Sequence, residues 1–284
     1  SNNYRPLHHM LRDHAVGRSL RGRGYRLLHT GGWWDPTRHN PYADESLDFY
    51  GRYQSEFARM LVAGTLFFRA GLGFGMIDQR REHWECVRFQ FAQLEEVARR
   101  PGPKFVFAHM MVTHEPYVFD HAGRFLPLEQ ANAMGEAECY REALRFTNRR
   151  VLALLSRLQS ADHPAPVIVL QADEGPYPPE AGAPGFTWHA ANAPTLRYKM
   201  GILNAFYFPD GADPALHPGI TPVNTFRVVF NHCFGSGLAL LPDRCFVFRD
   251  ARHGYDLMDI TERLAEGCDS AAVAGRSLGD TGAP

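Results

Sequence analysis

Short, continuous runs of hydrophobic residues recur along the chain and predict buried β-strands. The runs cover residues 25–30, 104–112, 166–173, 203–208 and 244–250. Hydrophobic and polar residues do not alternate within them, which is the pattern of strands that are covered on both faces. These strands are therefore expected in a central sheet with helices on both sides.

The longer segments between these runs repeat apolar residues at helical spacing. The clearest pattern covers residues 140–158, where apolar side chains recur at intervals of three and four. Further helices are expected at residues 53–68 and from about residue 79 to 99. Strands that alternate with helices in this way predict an α/β fold, a sandwich of helices around a largely parallel central sheet.

Two segments raise the question of membrane spans and disorder. The most apolar one, Met60–Ile77, contains Arg69 and four glycines. A buried helix followed by a glycine-rich loop is a better interpretation of it than a membrane span. The tail, residues 266–284, is small and polar and is expected to be disordered.

Composition narrows the class of protein. The 284 residues include 30 basic and 31 acidic side chains, so the basic surplus of a nucleic-acid-binding protein is missing. A hydrophobic content of 45% is enough for a substantial core. The five cysteines are scattered and form no CxxC pair, which argues against both a disulfide scaffold and a thiolate metal site.

Two adjacent carboxylates, Asp173 and Glu174, end the predicted strand at residues 166–173. Their repulsion is relieved either by exposure in a turn or by a positive charge between them. Ligands gather at the carboxyl ends of strands in open α/β sheets, and paired oxygen donors suit Mn or Mg better than Zn. Because no Lys or Arg lies between Gln159 and Ala193, a basic partner would have to come from elsewhere in the chain. A metal site and an ordinary acidic turn both remain open.

Two histidines belong to the run at residues 104–112 and the segment after it. His109, inside the apolar strand, is expected to be a hydrogen-bonded core histidine. His114 lies beyond the strand end and is the better functional candidate, since a histidine there can donate to an anionic oxygen or ligate a metal.

The loop after the strand at residues 25–30 carries paired glycines, two tryptophans and Arg38. A flat apolar wall beside a guanidinium group is suited to a sugar phosphate or a lipid-linked phosphate. Trp34 and Arg38 are therefore candidate substrate-binding residues, although either tryptophan could equally fill the core.

Taken together, these segments resemble the sulfatase-like branch of the alkaline phosphatase superfamily, which includes lipoteichoic acid synthase and the phosphoethanolamine transferases. The likeness extends from about residue 1 to 264. It rests on the segments PKFVFAHMMVTHEPYVFD, ALRFTNRRVLALLSRL, PVIVLQADEGPYP, ILNAFYFP and ITPVNTFRVVFNHCFG. The resemblance implies a sulfatase-like α/β domain over residues 1–265. It also implies the extracytoplasmic part of a bacterial cell-membrane protein that modifies envelope glycans or lipids.

The resemblance implies roles for several of the candidate residues. Asp173 matches the Asp of the family's Asp-His metal pair, and Glu174 stands where the family has the His. This change adds negative charge and favours Mg or Mn over Zn. His114 matches a substrate-contacting histidine, and Trp34 and Arg38 fall in a loop that contributes substrate contacts.

The resemblance also implies that part of the catalytic machinery precedes Ser1. The first residues look like the segment after the family's nucleophile helix, so the nucleophile, an acidic ligand and the membrane spans are expected upstream. No catalytic residue is therefore nominated in this chain. The implied function is a metal-dependent hydrolase or transferase that acts on phosphate or sulfate esters. The alternative is a catalytically inactive sulfatase-like binding module, and a soluble phosphomutase-like enzyme fits the motifs less well.

Overall fold

The computed structural model describes residues 3–50, 78–160, 165–250 and 252–265. The chain forms two compact units, residues 3–165 and the part from Pro166 onward. The helix predicted at residues 53–68, the apolar segment Met60–Ile77 and the tail lie outside the described residues. In the part of the chain that is described, no helix is long and apolar enough to cross a membrane.

The first unit combines helices with a small parallel sheet. Its helices are α1 (Arg5–Arg12), α2 (Ala15–Arg21), α3 (Asp35–Arg38), α4 (Gln79–Arg99), α5 (Leu128–Met134) and α6 (Glu136–Leu158), and its strands are β1 (Arg26–Thr30), β2 (Glu45–Ser46) and β3 (Lys104–Ala108). The strand order is β2-β1-β3, and Leu28 in β1 pairs with Glu45 on one side and Val106 on the other. The mixed α/β class and the parallel pairing of these strands are confirmed.

Burial explains why β1 is the central strand. Residues Leu27 to Thr30 are all buried, as the continuous apolar run predicts for a strand that is covered on both faces. The long helices α4 and α6 pack together around aromatic side chains. The rings of Phe119 and Phe146 stack with centroids 4.2 Å apart, and Phe91 meets Phe146 edge-on at 6.3 Å. A second cluster joins α4 to the sheet through Val97, Leu28 of β1 and Val106 of β3.

The strands of the second unit form antiparallel pairs, whereas those of the first unit are parallel. Its elements are β4 (Ile168–Gln171), α7 (Ala193–Met200), β5 (Asn204–Tyr207), α8 (Thr225–Phe234), β6 (Phe246–Phe248), β7 (Leu257–Asp259) and α9 (Thr261–Ala265). β4 pairs with β5 and β6 with β7, both antiparallel. The strands predicted at residues 166–173 and 203–208 are thus neighbours, but they do not run parallel. No residue of β4 or β5 is buried, so the expectation that these strands are covered on both faces is wrong. The apolar runs identified the strands but neither their burial nor their direction.

Candidate functional site

The loops that follow β1 and β3 begin side by side at the carboxyl edge of the parallel sheet. Thr30 and Ala108, the last residues of the two strands, are paired, and the N–H of His109 donates to the carbonyl oxygen of Thr30 at 2.9 Å. The loop with the tryptophans and the loop with His114 therefore start from one edge. This is where ligands bind in open α/β sheets.

Gly31 allows the first loop to fold back onto its own strand. A Cβ atom at this position would lie 1.6 Å from the carbonyl oxygen of Thr37, so only glycine fits. The same carbonyl accepts a hydrogen bond from Nε2 of the buried His29 at 2.7 Å. The ring of His29 in turn stacks on Phe107 of β3, with centroids 5.4 Å apart. The loop is thereby fixed to the two central strands.

His109 connects this loop to the end of β3. Its Nδ1 atom lies 2.6 Å from the hydroxyl oxygen of Thr37, and its carbonyl oxygen accepts a hydrogen bond from Gln90 of α4 at 2.9 Å. The ring of Trp34 meets it edge-on at 5.7 Å. The expected hydrogen bonding of His109 is confirmed, but the residue lies one position beyond β3 and is half-buried, so it is not a core histidine inside the strand.

Trp33 and His114 bring the two loops together at the surface. Their rings meet edge-on with centroids 5.4 Å apart, and both side chains reach solvent. Nδ1 of His114 donates to the carbonyl oxygen of Glu115 at 2.7 Å, which fixes the ring and leaves Nε2 to meet a ligand. In the imidazolium form, Nε2 also donates.

His83 of α4 lies beneath this pair and was not identified from the sequence. Its ring is 6.4 Å from that of Trp33, and only 5% of the residue is exposed. Burial lowers the pKa of His83 to about 4, although the carbonyl groups of Pro116 and Met111 act in the opposite direction. The ring is therefore neutral at pH 7. His83 falls within a predicted helix, and nothing in the sequence indicates that its side chain reaches the site.

The other two candidates of the first unit, Trp34 and Arg38, lie on the same loop. Trp34 is partly exposed and contacts His8 of α1 with ring centroids 6.0 Å apart. Arg38 donates from Nη2 to the carbonyl oxygen of Trp33 at 2.7 Å, and its Nη1 is 4.0 Å from the Asp35 carboxylate. All three predicted substrate-binding residues thus lie on loops of one sheet edge, but Trp33, and not Trp34, contacts His114.

In the second unit, the acidic pair follows β4 in an exposed bend. The ladder ends at Ala172, whose N–H donates to Leu203, and Oδ1 of Asp173 accepts the N–H of Glu174 at 3.0 Å. Gly175 then turns the chain toward α7. A Cβ atom there would lie 2.3 Å from the carbonyl oxygen of Tyr198, which explains the glycine directly after the two carboxylates.

Lys199 of α7 supplies the positive charge that the acidic pair requires. Its ammonium group forms an ion pair with the carboxylate of Glu174, and only 7% of its side chain is exposed. The ammonium nitrogen also lies 3.5 Å from the ring centroid of Tyr177 and 5.5 Å from that of Trp188. Burial, followed by the charges of Glu174 and Asp173, raises the pKa of Tyr177. The basic partner of Glu174 is thus on α7, C-terminal to the stretch between Gln159 and Ala193 that contains no Lys or Arg.

Asp173 and Glu174 offer the type of donor atom that a divalent cation requires. Asp173 and Glu174 are both exposed and present carboxylate oxygens, which Mg and Mn prefer. Lys199 competes with a cation for Glu174. No cluster of three or more His, Cys, Asp or Glu side chains with metal-binding geometry occurs within residues 3–50, 78–160, 165–250 and 252–265.

The candidate residues thus belong to two different units. His114, Trp34 and Arg38 belong to the carboxyl edge of β1 and β3, and Asp173 and Glu174 belong to the bend after β4. Comparison of the chain with models of known protein families, with curated proteins and with solved structures finds no match.

Proposed function

We propose that the chain is a sulfatase-like α/β domain, of the alkaline phosphatase type, from a metal-dependent hydrolase or transferase. Its substrates would be phosphate or sulfate esters of the bacterial envelope, and the domain would lie on the extracytoplasmic side of the membrane. The observation that carries the proposal is the contact between His114 and Trp33, 5.4 Å apart, beside the loop that holds Trp34 and Arg38. The resemblance of the sequence motifs supports the finer assignment.

The chemistry of this edge suits an ester with an anionic head and an organic tail. Protonated His114 would donate from Nε2 to a non-bridging oxygen, while Arg38 lowers the energy of the negative charge. The exposed rings of Trp33 and Trp34 offer apolar faces to a sugar or an alkyl chain. Because His83 is neutral at pH 7, it adds no charge beneath the site, and Arg38 and protonated His114 would supply the positive charge.

Asp173 and Glu174 are the proposed ligands of the divalent cation, Mn or Mg in preference to Zn. A divalent cation held by this pair would supply a positive charge of the kind that stabilises negative charge on phosphate or sulfate esters. Glu174 would have to exchange Lys199 for the cation, so the measured affinity should reflect the competition between the two.

Binding of simple esters tests the proposal. Titration calorimetry with phenyl phosphate and phenyl sulfate should show binding to the wild-type chain. His114→Ala should weaken it at least about tenfold, because a charge-assisted hydrogen bond contributes roughly 1.5–3 kcal/mol. His253→Ala is the matched control, since this exposed histidine of the second unit pairs with Asp250 at 2.8 Å. Equal affinity of His114→Ala and wild type would contradict the proposal.

The second candidate function is a catalytically inactive sulfatase-like binding module. The ion pair between Glu174 and Lys199 favours it, because the charge of the carboxylate is already balanced within the fold. Calorimetric titration with Mn²⁺ separates the two functions. If the pair binds a cation, Asp173→Ala should abolish the heat of binding and Lys199→Met should strengthen binding by removing the competitor. Mn²⁺ binding that neither substitution changes would identify the pair as an acidic turn.

A further inference from the structure

Helix α1 presents its apolar side to solvent. Leu7, Met10 and Leu11 are 42%, 64% and 41% exposed, and no residue of the helix is buried. Their spacing of three and four places them on one side of the helix. Surface helices of globular domains normally turn this side toward the core. The orientation of α1 is therefore reversed.

The polar side of α1 holds the helix against the rest of the unit. Arg12 donates from Nε to the carbonyl oxygen of Pro36 at 3.0 Å and from Nη2 to that of Asp35 at 2.8 Å. The ring of His8 meets Trp34 at 6.0 Å. Because these contacts fix the polar side, the apolar side is held outward by the fold itself.

The chain segment that contains α1 is rich in basic residues. Residues 3–26 contain six arginines and three histidines but only one acidic residue, whereas the whole chain has a net charge of −1. Four of the six arginines form ion pairs: Arg12 with Asp35, Arg18 with Asp13, Arg21 with Asp44 and Arg26 with Glu45. Arg5 remains exposed at the start of the helix. The segment that contains α1 thus carries more basic than acidic residues, while the whole chain does not.

We propose that α1 docks this unit onto an anionic lipid surface. Its apolar side chains would enter the boundary between headgroups and acyl chains, and the exposed Arg5 at the start of the helix would lie at the level of the lipid phosphates. The partly exposed Trp34, which contacts the helix, is a residue type that favours this boundary. An eight-residue helix is only about 12 Å long. By itself it therefore covers only a small part of the roughly 800 Å² per partner that a stable protein interface buries. This inference is independent of the ester-binding proposal.

Vesicle co-sedimentation of the complete 284-residue chain tests the docking surface. Vesicles of phosphatidylcholine with phosphatidylglycerol should bind the protein, and vesicles of phosphatidylcholine alone should bind it much less. The double variant Leu7→Ser/Met10→Ser should lower the partition coefficient at least about tenfold. Serine side chains, unlike those of leucine and methionine, gain little free energy when they move from water to the membrane boundary. Leu152→Ser is the matched control, because Leu152 is 65% exposed on α6 and should not affect binding.

A second variant keeps the test decisive if the double variant does not fold. Arg5→Gln leaves the apolar side intact and should weaken binding to the anionic vesicles about fivefold, with a smaller effect at high salt. Equal binding to neutral and anionic vesicles, or binding that neither variant reduces, would overturn the proposal. So would a wild-type dimer that Leu7→Ser/Met10→Ser converts to a monomer without any vesicle binding, since a second copy would then cover the helix.

Discussion

Replacing Gly31 with alanine should lower the free energy of unfolding of the first unit by about 3 kcal/mol or more. The added Cβ atom would lie 1.6 Å from the carbonyl oxygen of Thr37 and 2.6 Å from its carbonyl carbon. Both are backbone atoms, so the whole loop must move and no side-chain rotation relieves the clash. The movement would also separate this carbonyl from Nε2 of the buried His29. The same substitution should therefore disturb the loop that carries the tryptophans.

Urea unfolding followed by circular dichroism measures this effect. Gly22→Ala is the matched control, because Gly22 has φ −61° and a Cβ atom added there would lie no closer than 3.5 Å to any neighbouring atom. It should change stability by no more than about 0.5 kcal/mol. If both variants unfold at the same urea concentration, the loop does not lie against β1 as described.

Acidification from pH 7 to pH 4 should destabilise the first unit, and His83 should account for about 3 kcal/mol of the loss. The pKa of His83 is lowered by burial from 6.5 to about 4 in the folded state. Between these values the unfolded chain binds a proton that the folded chain does not. Stability is therefore highest above pH 6.5 and falls as the pH drops toward 4. Burial also lowers the pKa of His14 and of His29, which adds to the loss in the same direction.

Unfolding free energies of the wild type and of His83→Leu at several pH values between 4 and 7 isolate the share of His83. Leucine has no group to protonate, so the variant should lose less stability on acidification than the wild type. Identical pH dependence of the two proteins would show that His83 accepts a proton equally well in the folded state.

Periodicity over long segments made parts of the fold predictable. The helix expected from about residue 79 to 99 is Gln79–Arg99, and the one expected at 140–158 extends over Glu136–Leu158. Both helices are long and amphipathic, so apolar residues repeat at helical spacing over several turns. The direction of strand pairing in the second unit was not predictable, because an apolar run occurs in parallel and antiparallel strands alike.

The candidate site was predictable only where its residues follow strand ends. His114 and the tryptophan loop lie directly after β3 and β1 in the sequence, so the rule for sheet edges identified them. His83 lies in the interior of a helix and reaches the same edge through packing. Lys199 pairs with Glu174 across a long stretch of sequence. Partners of this kind depend on tertiary contacts, which no local pattern records.

The most direct test of the proposed ester site is a nuclear magnetic resonance titration that locates the ligand. The chain, labelled at its histidine rings, would be titrated with phenyl phosphate while the ring resonances are recorded. Binding at the carboxyl edge of β1 and β3 predicts that the signals of His114 and His83 shift together and saturate. The signals of His217 and His253, in the second unit, should stay unchanged. Saturable binding that leaves the His114 signal unmoved would contradict the central claim.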